Sequence, residues 1–326
     1  MAGSLKLPIQ STTTPTPWTR PSDWIDISQV NNNEINLLVA DGPGIGFATT
    51  VASSGTYSID WGDGTVETAR ASGTTYQHQY TPGSGQACSQ GYTTYNIRIY
   101  GATGNITSWK VKKHTYTNRV QYQPYLWVVF GTQYITDYSN AFYLYTYVQC
   151  RDLQACVIPS FQSCITTANS FTNCSALVSI TLPTSWGSVT NTSTMFQYCY
   201  NLKTINNLQY LGSTTSDCDF TAFGQDCEFL QQSVSIASRL SKFGMYGAST
   251  YVLKVSSIRF TNANSQFGGT SPQVDVSYTS LAASNLNDLF GDLPTLSGKT
   301  INITGSTGAG TCDKTIATNK GWTVTG

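Results

Sequence analysis

The chain has 326 residues with 17 basic and 17 acidic side chains, a formal net charge of zero, and a charged fraction of only 10%. A neutral chain has no field of one sign to draw it to nucleic acid or anionic lipid, and no apolar run approaches the roughly 18 residues of a membrane span. Its 28 Gly and 20 Tyr residues, together with abundant Ser, Thr and Asn, are typical of a β-rich surface protein of more than one domain.

Residues 1–33 are predicted to form an N-terminal anchoring arm. The stretch Thr12–Pro17 is extended and punctuated by proline, and Trp18 and Trp24 follow it closely. We expect this arm to contact other proteins of an assembly. The alternative is that the two tryptophans pack on the next domain of the same chain. Met1–Pro8 lacks the apolar stretch of a signal peptide, which favours a protein that assembles in a cytoplasm.

Residues 34–115 alternate between apolar and polar positions in short runs that are separated by Gly, Pro and Ser clusters. Several short strands with regular turns predict a β-sandwich. The predicted strands are Glu34–Val39, Thr56–Asp60, Thr75–Tyr80, Tyr95–Tyr100 and Trp109–Lys113.

A turn motif within this region carries a family resemblance. The phrase Trp61-Gly62-Asp63-Gly64-Thr65 is followed by the His78-x-Tyr80 pair and a Tyr-x-Ile-x-Ile strand that begins at Tyr95. The region resembles the PKD-like family of immunoglobulin-type sandwiches, and the resemblance implies a spacer or adhesive module. Asp63 is expected to cap the turn, although Asp60 and Asp63 could instead bind calcium. We expect structural roles for Trp61, Gly62, Asp63, Gly64, His78 and Tyr80.

Residues 116–146 are rich in aromatic side chains and are predicted to form a junction. Leu126–Phe130 is apolar throughout and predicts a buried strand. Tyrosine and tryptophan stack on sugars and fill protein contacts at a low cost in entropy. The candidate ligand-binding residues are therefore Tyr122, Tyr125, Trp127 and Tyr134.

Residues 147–305 contain a repeat in which an aromatic residue, Cys, Leu and an apolar residue stand three positions apart. The cysteines of successive units are 24 and 25 residues apart, and the pattern weakens beyond Ile205. A period of 20 to 29 residues is typical of leucine-rich coils, which must stack to bury their apolar face. The units are Tyr147-Cys150-Leu153-Cys156, Phe171-Cys174-Leu177-Ile180 and Phe196-Cys199-Leu202-Ile205.

The cysteines of this repeat are expected to form a ladder of small apolar groups inside the solenoid. The chain has nine cysteines, an odd number, and no histidine in its second half to complete a zinc site. Structural roles therefore fall to Cys150, Cys174 and Cys199, and metal binding is the alternative. The phrase Met195–Leu202 resembles the BspA-like leucine-rich family, whose units run Met-Phe-x-x-Cys-x-x-Leu.

The chain ends with a predicted strand at Val274–Tyr278, a helix at Ser284–Asp292 and a strand at Lys299–Gly305, and residues 306–326 are predicted to cap the solenoid. Leu293–Gly305 and Lys320–Val324 are similar to the C-terminus of structural proteins of tailed bacteriophages. That resemblance favours a phage protein over a bacterial one.

Catalytic signatures are missing from the sequence. The chain has two histidines, His78 and His114, and three glutamates, and no nucleophile motif accompanies either histidine. Gly298-Lys299-Thr300 imitates a phosphate loop, but the first glycine of that motif is replaced by Leu293. We predict a protein that is not an enzyme and that needs no cofactor and no metal.

The fold class predicted from these features is mainly β with short helices, a PKD/Ig-like β-sandwich followed by a short leucine-rich-repeat solenoid. The predicted function is that of a bacteriophage virion structural protein, a tail or fibre component that attaches to the host surface. The alternatives are a capsid decoration or head-fibre protein, a bacterial surface adhesin, and a polysaccharide-degrading enzyme carried on a virion. We expect a homo-oligomer, located in the virion, whose partners are other virion proteins and a host surface glycan or protein, but not nucleic acid.

Overall fold

The computed structural model of the chain describes residues 18–42, 44–112, 121–122, 124–131, 134–144, 148–159, 164–186, 188–250 and 252–326. Several residues named in the sequence predictions lie outside the described residues, namely the arm up to residue 17, His114, Tyr147 and the side chain of Tyr122. The described part is mainly β, and its two helices are the short α1 (Ala283–Asp292) and α2 (Thr315–Thr318). None of the described helices has the length and apolar character that a membrane span requires.

The strands of the described residues are short, and most of those in the second half have two to five residues. In chain order they are β1 (Ile35–Ala40), β2 (Ile45–Val51), β3 (Thr56–Asp60), β4 (Val66–Ala71), β5 (Thr75–His78), β6 (Gln86–Ala87), β7 (Thr93–Tyr100), β8 (Ile106–Val111), β9 (Gln121–Tyr122), β10 (Tyr125–Phe130), β11 (Tyr143–Leu144), β12 (Val148–Gln149), β13 (Ala155–Val157), β14 (Ser179–Thr181), β15 (Thr204–Asn206), β16 (Cys218–Phe220), β17 (Ser233–Ile236), β18 (Leu240–Gly244), β19 (Ser257–Phe260), β20 (Val274–Asp275), β21 (Lys299–Asn302) and β22 (Trp322–Thr325).

The first module contains the five strands predicted from its alternating pattern, observed as β1, β3, β5, β7 and β8. Three further strands, namely β2, β4 and the two-residue β6, were not predicted. All but one of the residues of β2 are buried, so β2 shows no alternation to read. Strand β4 has no buried residue and lies at the edge of its sheet, where burial imposes no pattern.

Two sheets enclose the core of this module. The sheet β5-β2-β8 is antiparallel, and a larger sheet contains the antiparallel order β10-β1-β7-β3-β4. The ring of Phe47 on β2 lies 5.5 Å from that of Trp61 and 6.4 Å from that of Trp109, measured between centroids. All three side chains are fully buried, and such aromatic contacts contribute about 0.5–1.5 kcal/mol each beyond the area they bury.

Strand β10 joins this module to the second half of the chain. It pairs antiparallel with β1 on one side and parallel with β13 on the other. The parallel ladder continues from β13 to β14 and β15, with Cys156 opposite Ile180 and Ile180 opposite Ile205. One hydrogen-bonded sheet therefore continues through β10, within the region where the sequence suggested a junction between modules.

The second half is a stack of coils, each hydrogen-bonded to the next. A second parallel ladder links Asp137, Thr166, Asn191 and Asp219 by single bridges. It continues in the order β16-β18-β20-β21-β22, and β17 pairs parallel with β19. Successive coils also exchange backbone bonds in register, as in Phe171 N–H to the Met195 carbonyl at 2.9 Å. The described second half is thus a β-solenoid-like stack.

A column of phenylalanine rings occupies the interior of the coils. Phe171 stacks between Phe142 and Phe196, with ring centroids 5.1 and 5.5 Å away, and Phe223 lies 5.2 Å beyond Phe196. The repeat pattern predicts Tyr147 as the aromatic residue of the first unit, and Tyr147 lies outside the described residues. Phe223 continues the column beyond Ile205, where the sequence pattern weakens and no aromatic residue was predicted. In the first coil Phe142 stacks on Phe171, and the strands β11 and β12 lie between Phe142 and Cys150.

The segment before β1 lies against the chain itself. Trp24 and Ile27 are buried on the outer face of the shared sheet, against Leu38, Trp127 and neighbouring apolar side chains. Asn36 holds the segment in place, because its side-chain amide donates to the carbonyls of Ile27 and Gln29. Of the two alternatives for the paired tryptophans, packing on the same chain is therefore correct for Trp24.

The last coil closes the stack. Helix α1 buries Leu286, Leu289 and Phe290, in agreement with the predicted helix at Ser284–Asp292. The Lys320 ammonium donates to the carbonyls of Phe290 and Leu293 at the C-terminal end of α1, at 3.1 and 2.7 Å. Such a cation stabilises the negative end of a helix.

Candidate functional site

The side chains of the Trp-Gly-Asp-Gly turn contact one another and the His78 and Tyr80 pair that follows it. Asp63 Oδ1 accepts the backbone N–H of Thr65 at 2.9 Å, and Asp63 Oδ2 lies 2.8 Å from His78 Nε2. The His78 ring stacks on Trp61 at 4.6 Å, and the Tyr80 hydroxyl donates to the Trp61 carbonyl at 2.8 Å. The motif residues are brought together as expected, and both Asp63 oxygens have partners within the protein.

The glycines of this turn have different roles. Gly62 has a φ of +80°, and a Cβ there would meet the Asn96 carbonyl oxygen at 2.6 Å, so close backbone approach requires glycine. Gly64 has a φ of +92° with open space around it, so only its backbone conformation favours glycine.

Asp63 is held ionised by its partners. Burial alone raises its pKa, but the hydrogen bonds from Thr65 and His78 outweigh burial and leave the pKa below the usual 3.8. Asp60 Oδ1 accepts the Gly62 backbone N–H at 2.9 Å. Among the described residues no group of three His, Cys, Asp or Glu side chains is placed to hold a metal ion.

The cysteines of the repeat lie in the solenoid core. Cys150, Cys174 and Cys199 are fully buried, and all nine cysteines of the chain are free thiols. The Cys199 thiol donates to the Phe171 carbonyl of the preceding coil at 3.1 Å, and Cys227 does the same to Phe196. Burial raises the pKa of these thiols well above 9.0, which keeps them protonated and unreactive.

The candidate ligand-binding aromatics are not brought to one surface. Tyr125 is fully buried in the main core, so it is not available to a ligand, and Tyr134 is 38% exposed. Trp127 belongs to the opposite face of the sheet, with Trp24. Residues 125 and 127 would share a face in a regular strand. A bulge opposite Leu38 separates them, because Leu38 pairs with Trp127 while the next residue pairs with Tyr125.

A shallow groove of about 230 Å³ lies on the outer face of the parallel strands β13, β14 and β15. Trp18 and Trp127 form its aromatic wall, with ring centroids 5.5 Å apart and planes tilted by 54°. The residues of β13 contribute a mostly apolar floor. The polar part of the lining is a row of small hydroxyl and amide side chains, namely Ser179, Thr181, Thr204 and Asn206.

This polar row could have been found from the sequence. Ser179 and Thr181 flank the buried Ile180, and Thr204 and Asn206 flank the buried Ile205. Alternation of period two within each repeat places the flanking residues on the outer face. The apolar positions of the repeat alone do not reveal these flanking residues.

No protein family, curated protein sequence or solved structure was found to match the chain.

Proposed function

We propose that the chain is a non-enzymatic structural protein of a tailed-bacteriophage particle, a tail or fibre component that contacts the host surface. The observation that carries the proposal is the closing segment. The two phrases that resemble phage structural proteins, Leu293–Gly305 and Lys320–Val324, contact each other in the last coil. Strand β21 pairs with β22, and Trp322 Nε1 donates to the Pro294 carbonyl at 2.8 Å.

The rest of the chain supports a scaffold rather than a catalyst. We infer that the first module is a PKD-like sandwich, since Asp63 of its turn motif bonds to Thr65 and His78, and Tyr80 bonds to the Trp61 carbonyl. We infer that the coils are leucine-rich units of BspA-like type, because Phe, Cys and Leu of successive units bury together. Both kinds of module present surfaces on a rigid core, as a protein exposed on a particle requires.

Mass spectrometry and cryo-electron microscopy of purified particles test this proposal. We expect peptides of the chain in particles purified by density gradient, and density for the sandwich and coil stack on the tail. Absence of the chain from purified particles would overturn the proposal. Density on the head would replace the tail assignment with a capsid decoration or head-fibre role.

A further inference from the structure

We propose that the groove on the outer face of β13, β14 and β15 binds a neutral saccharide, with one sugar ring against Trp18 and its hydroxyls on the polar row. The assignment of that saccharide to a host surface rests on the proposed function. The binding chemistry does not, because it follows from the groove itself.

The composition of the groove selects a neutral polar ligand. Its lining contains no charged side chain, so nothing in it compensates the charge of a phosphate, a uronic acid or a cation. Hydroxyl and amide side chains both donate and accept hydrogen bonds, as sugar hydroxyls do. The apolar faces of sugar rings pack on indole surfaces, which the wall supplies.

Trp127, one of the two wall residues, carries a buried donor without a partner. Trp127 is only 5% exposed, and its Nε1 has no hydrogen-bond acceptor within the described part of the chain. A buried donor without a partner costs about 1–3 kcal/mol. Because Nε1 itself is buried, a ligand oxygen would reach it only if side chains of the wall shift on binding.

The dimensions of the groove suit a short oligosaccharide. Its volume of about 230 Å³ lies below the roughly 300–1,000 Å³ of sites for drug-sized ligands, and suits one or two sugar rings. Neighbouring strands are about 4.8 Å apart, which is close to the length of one hexose unit. Ser179 and Thr204, which lie opposite each other on the adjacent strands β14 and β15, can therefore meet successive units of one linear glycan.

The backbone around the groove argues against a peptide strand as the occupant. Strand β14 is hydrogen-bonded on both sides, to β13 and β15. On the far side of β15, the Gln232 side chain accepts the Ile205 N–H at 2.8 Å and donates to the Ile205 carbonyl at 3.1 Å. The floor thus offers side chains but no free strand edge for an added strand.

The test is a titration of the full-length ¹⁵N-labelled chain followed through its indole N–H signals, of which the seven tryptophans give seven. The probes are maltohexaose, cellohexaose, chitohexaose and mannohexaose, with hexagalacturonate as the anionic comparison. Trp18→Phe and Trp127→Phe assign the two signals of the wall. We expect at least one neutral probe to shift both signals saturably while the Trp322 signal stays in place, and hexagalacturonate to leave all three unchanged.

Variants separate the groove from the rest of the surface. Trp18→Ala is expected to weaken binding roughly tenfold, which corresponds to about 1.4 kcal/mol. Asn206→Ala should weaken binding roughly threefold through a lost hydrogen bond. Tyr210→Ala is the matched control, since Tyr210 is an aromatic residue, 48% exposed, that does not line the groove. Unchanged positions of the other indole signals show that each variant is folded.

Three results would overturn the inference: no shift with any neutral probe, equal binding by the Trp18→Ala variant, or binding of hexagalacturonate as strong as that of the neutral probes. Signals of the wall that shift on dilution without sugar would place a second copy of the chain in the groove and would also overturn it. The titration uses purified protein alone, so its outcome is independent of whether the chain is found in phage particles.

Discussion

A cysteine in a coil turn supplies a donor as well as a small apolar volume. The Cys199 and Cys227 thiols each donate to a carbonyl of the preceding coil, and the Cys218 thiol donates to the Val189 carbonyl at 3.0 Å. A hydrophobic residue of similar size would leave those carbonyls without this partner. Weak hydrogen bonds of this kind link one coil to the next without disulfides.

Thiol labelling tests the placement of the cysteines. Seven of the nine are buried, and only Cys88 and Cys312 are partly accessible. We expect Ellman's reagent at pH 8 to modify at most two thiols of the folded chain rapidly, and all nine after denaturation in urea. Rapid modification of more than two in the folded chain would show that the coils are open.

Burial of the thiols also predicts a pH dependence of stability. Burial raises the pKa of all seven buried cysteines above 9.0, to about 11 for Cys218 and about 12 for Cys164. The unfolded chain releases these protons above pH 9 while the folded chain retains them. The free energy of unfolding should therefore be steady below pH 9 and fall as the pH rises above it, by up to about 1.4 kcal/mol per pH unit for each thiol.

Urea denaturation at pH 7, 8, 9 and 10 measures this slope. Cys174→Ala removes one titrating group, so its slope above pH 9 should be smaller by up to about 1.4 kcal/mol per pH unit. A free energy of unfolding that stays constant from pH 7 to pH 10 is incompatible with buried, protonated thiols.

Asp63 organises the turn of the first module through two separate oxygens. Asp63→Ala leaves the Thr65 N–H and His78 without their acceptor, and we expect a loss of about 1–3 kcal/mol in the free energy of unfolding. Asp63→Asn keeps an acceptor for Thr65 and should lose less. Urea denaturation at pH 7 distinguishes the two, and equal stability of the alanine variant and the unchanged chain would refute a structural role for Asp63.

At the scale of the coil, a short polar motif recurs along the second parallel ladder, at the corner where each ladder residue is followed by a turn. An Asp or Asn accepts the backbone N–H of the Ser or Thr two residues later, as Asn191 does from Ser193 at 3.0 Å and Asp275 from Ser277 at 3.0 Å. The residue after each Ser or Thr has a positive φ. The members that share both features are Asp137, Asn191, Asp219, Asp275 and Asn302.

This corner motif predicts a cost for its removal. Asn191 Oδ1 accepts both the Ser193 N–H and, at 2.7 Å, the Ser193 hydroxyl. Asn191→Ala should lower the free energy of unfolding by about 1 kcal/mol, the usual value of a side-chain cap. Asn191→Asp retains the acceptor and serves as the control. If the two variants are equally stable, the motif does not stabilise the corner.

Local sequence was sufficient for some elements and not for others. Strand β10 and helix α1 were predicted because their residues are apolar throughout or on one face. The place of Phe142 in the ring column was not, because β11 and β12 lie between Phe142 and Cys150 and remove the three-residue spacing. The corner motif was overlooked because its residues are polar and gain meaning only when successive coils stack.

The candidate groove was predicted only in part. Trp18 and Trp127 drew attention as aromatic residues, but they lie more than 100 residues apart in the sequence. The bulge that turns Tyr125 away from Trp127 arises from pairing with β1, and pairing partners cannot be read from a single strand. The groove exists only because the segment before β1 folds back over the shared sheet.

At the scale of the whole molecule, one continuous hydrogen-bonded sheet connects the first module with the coils. Strand β10 belongs both to the antiparallel sheet of the first module and to the parallel ladder of the coils. The aromatic-rich junction that the sequence predicted at residues 116–146 therefore contains a strand, β10, that hydrogen-bonds to both halves. Such a chain presents the first module, the groove and the closing coil on one connected scaffold.

Hydrogen–deuterium exchange at Tyr125–Phe130 tests this continuity most directly. Because β10 pairs with a strand on each side and its residues are buried, its amides should be among the slowest of the chain to exchange. Peptides from β1 and β13 should show comparable protection. Rapid exchange at β10 between slowly exchanging neighbours is the result expected of two modules joined by a linker, and it would contradict a continuous sheet.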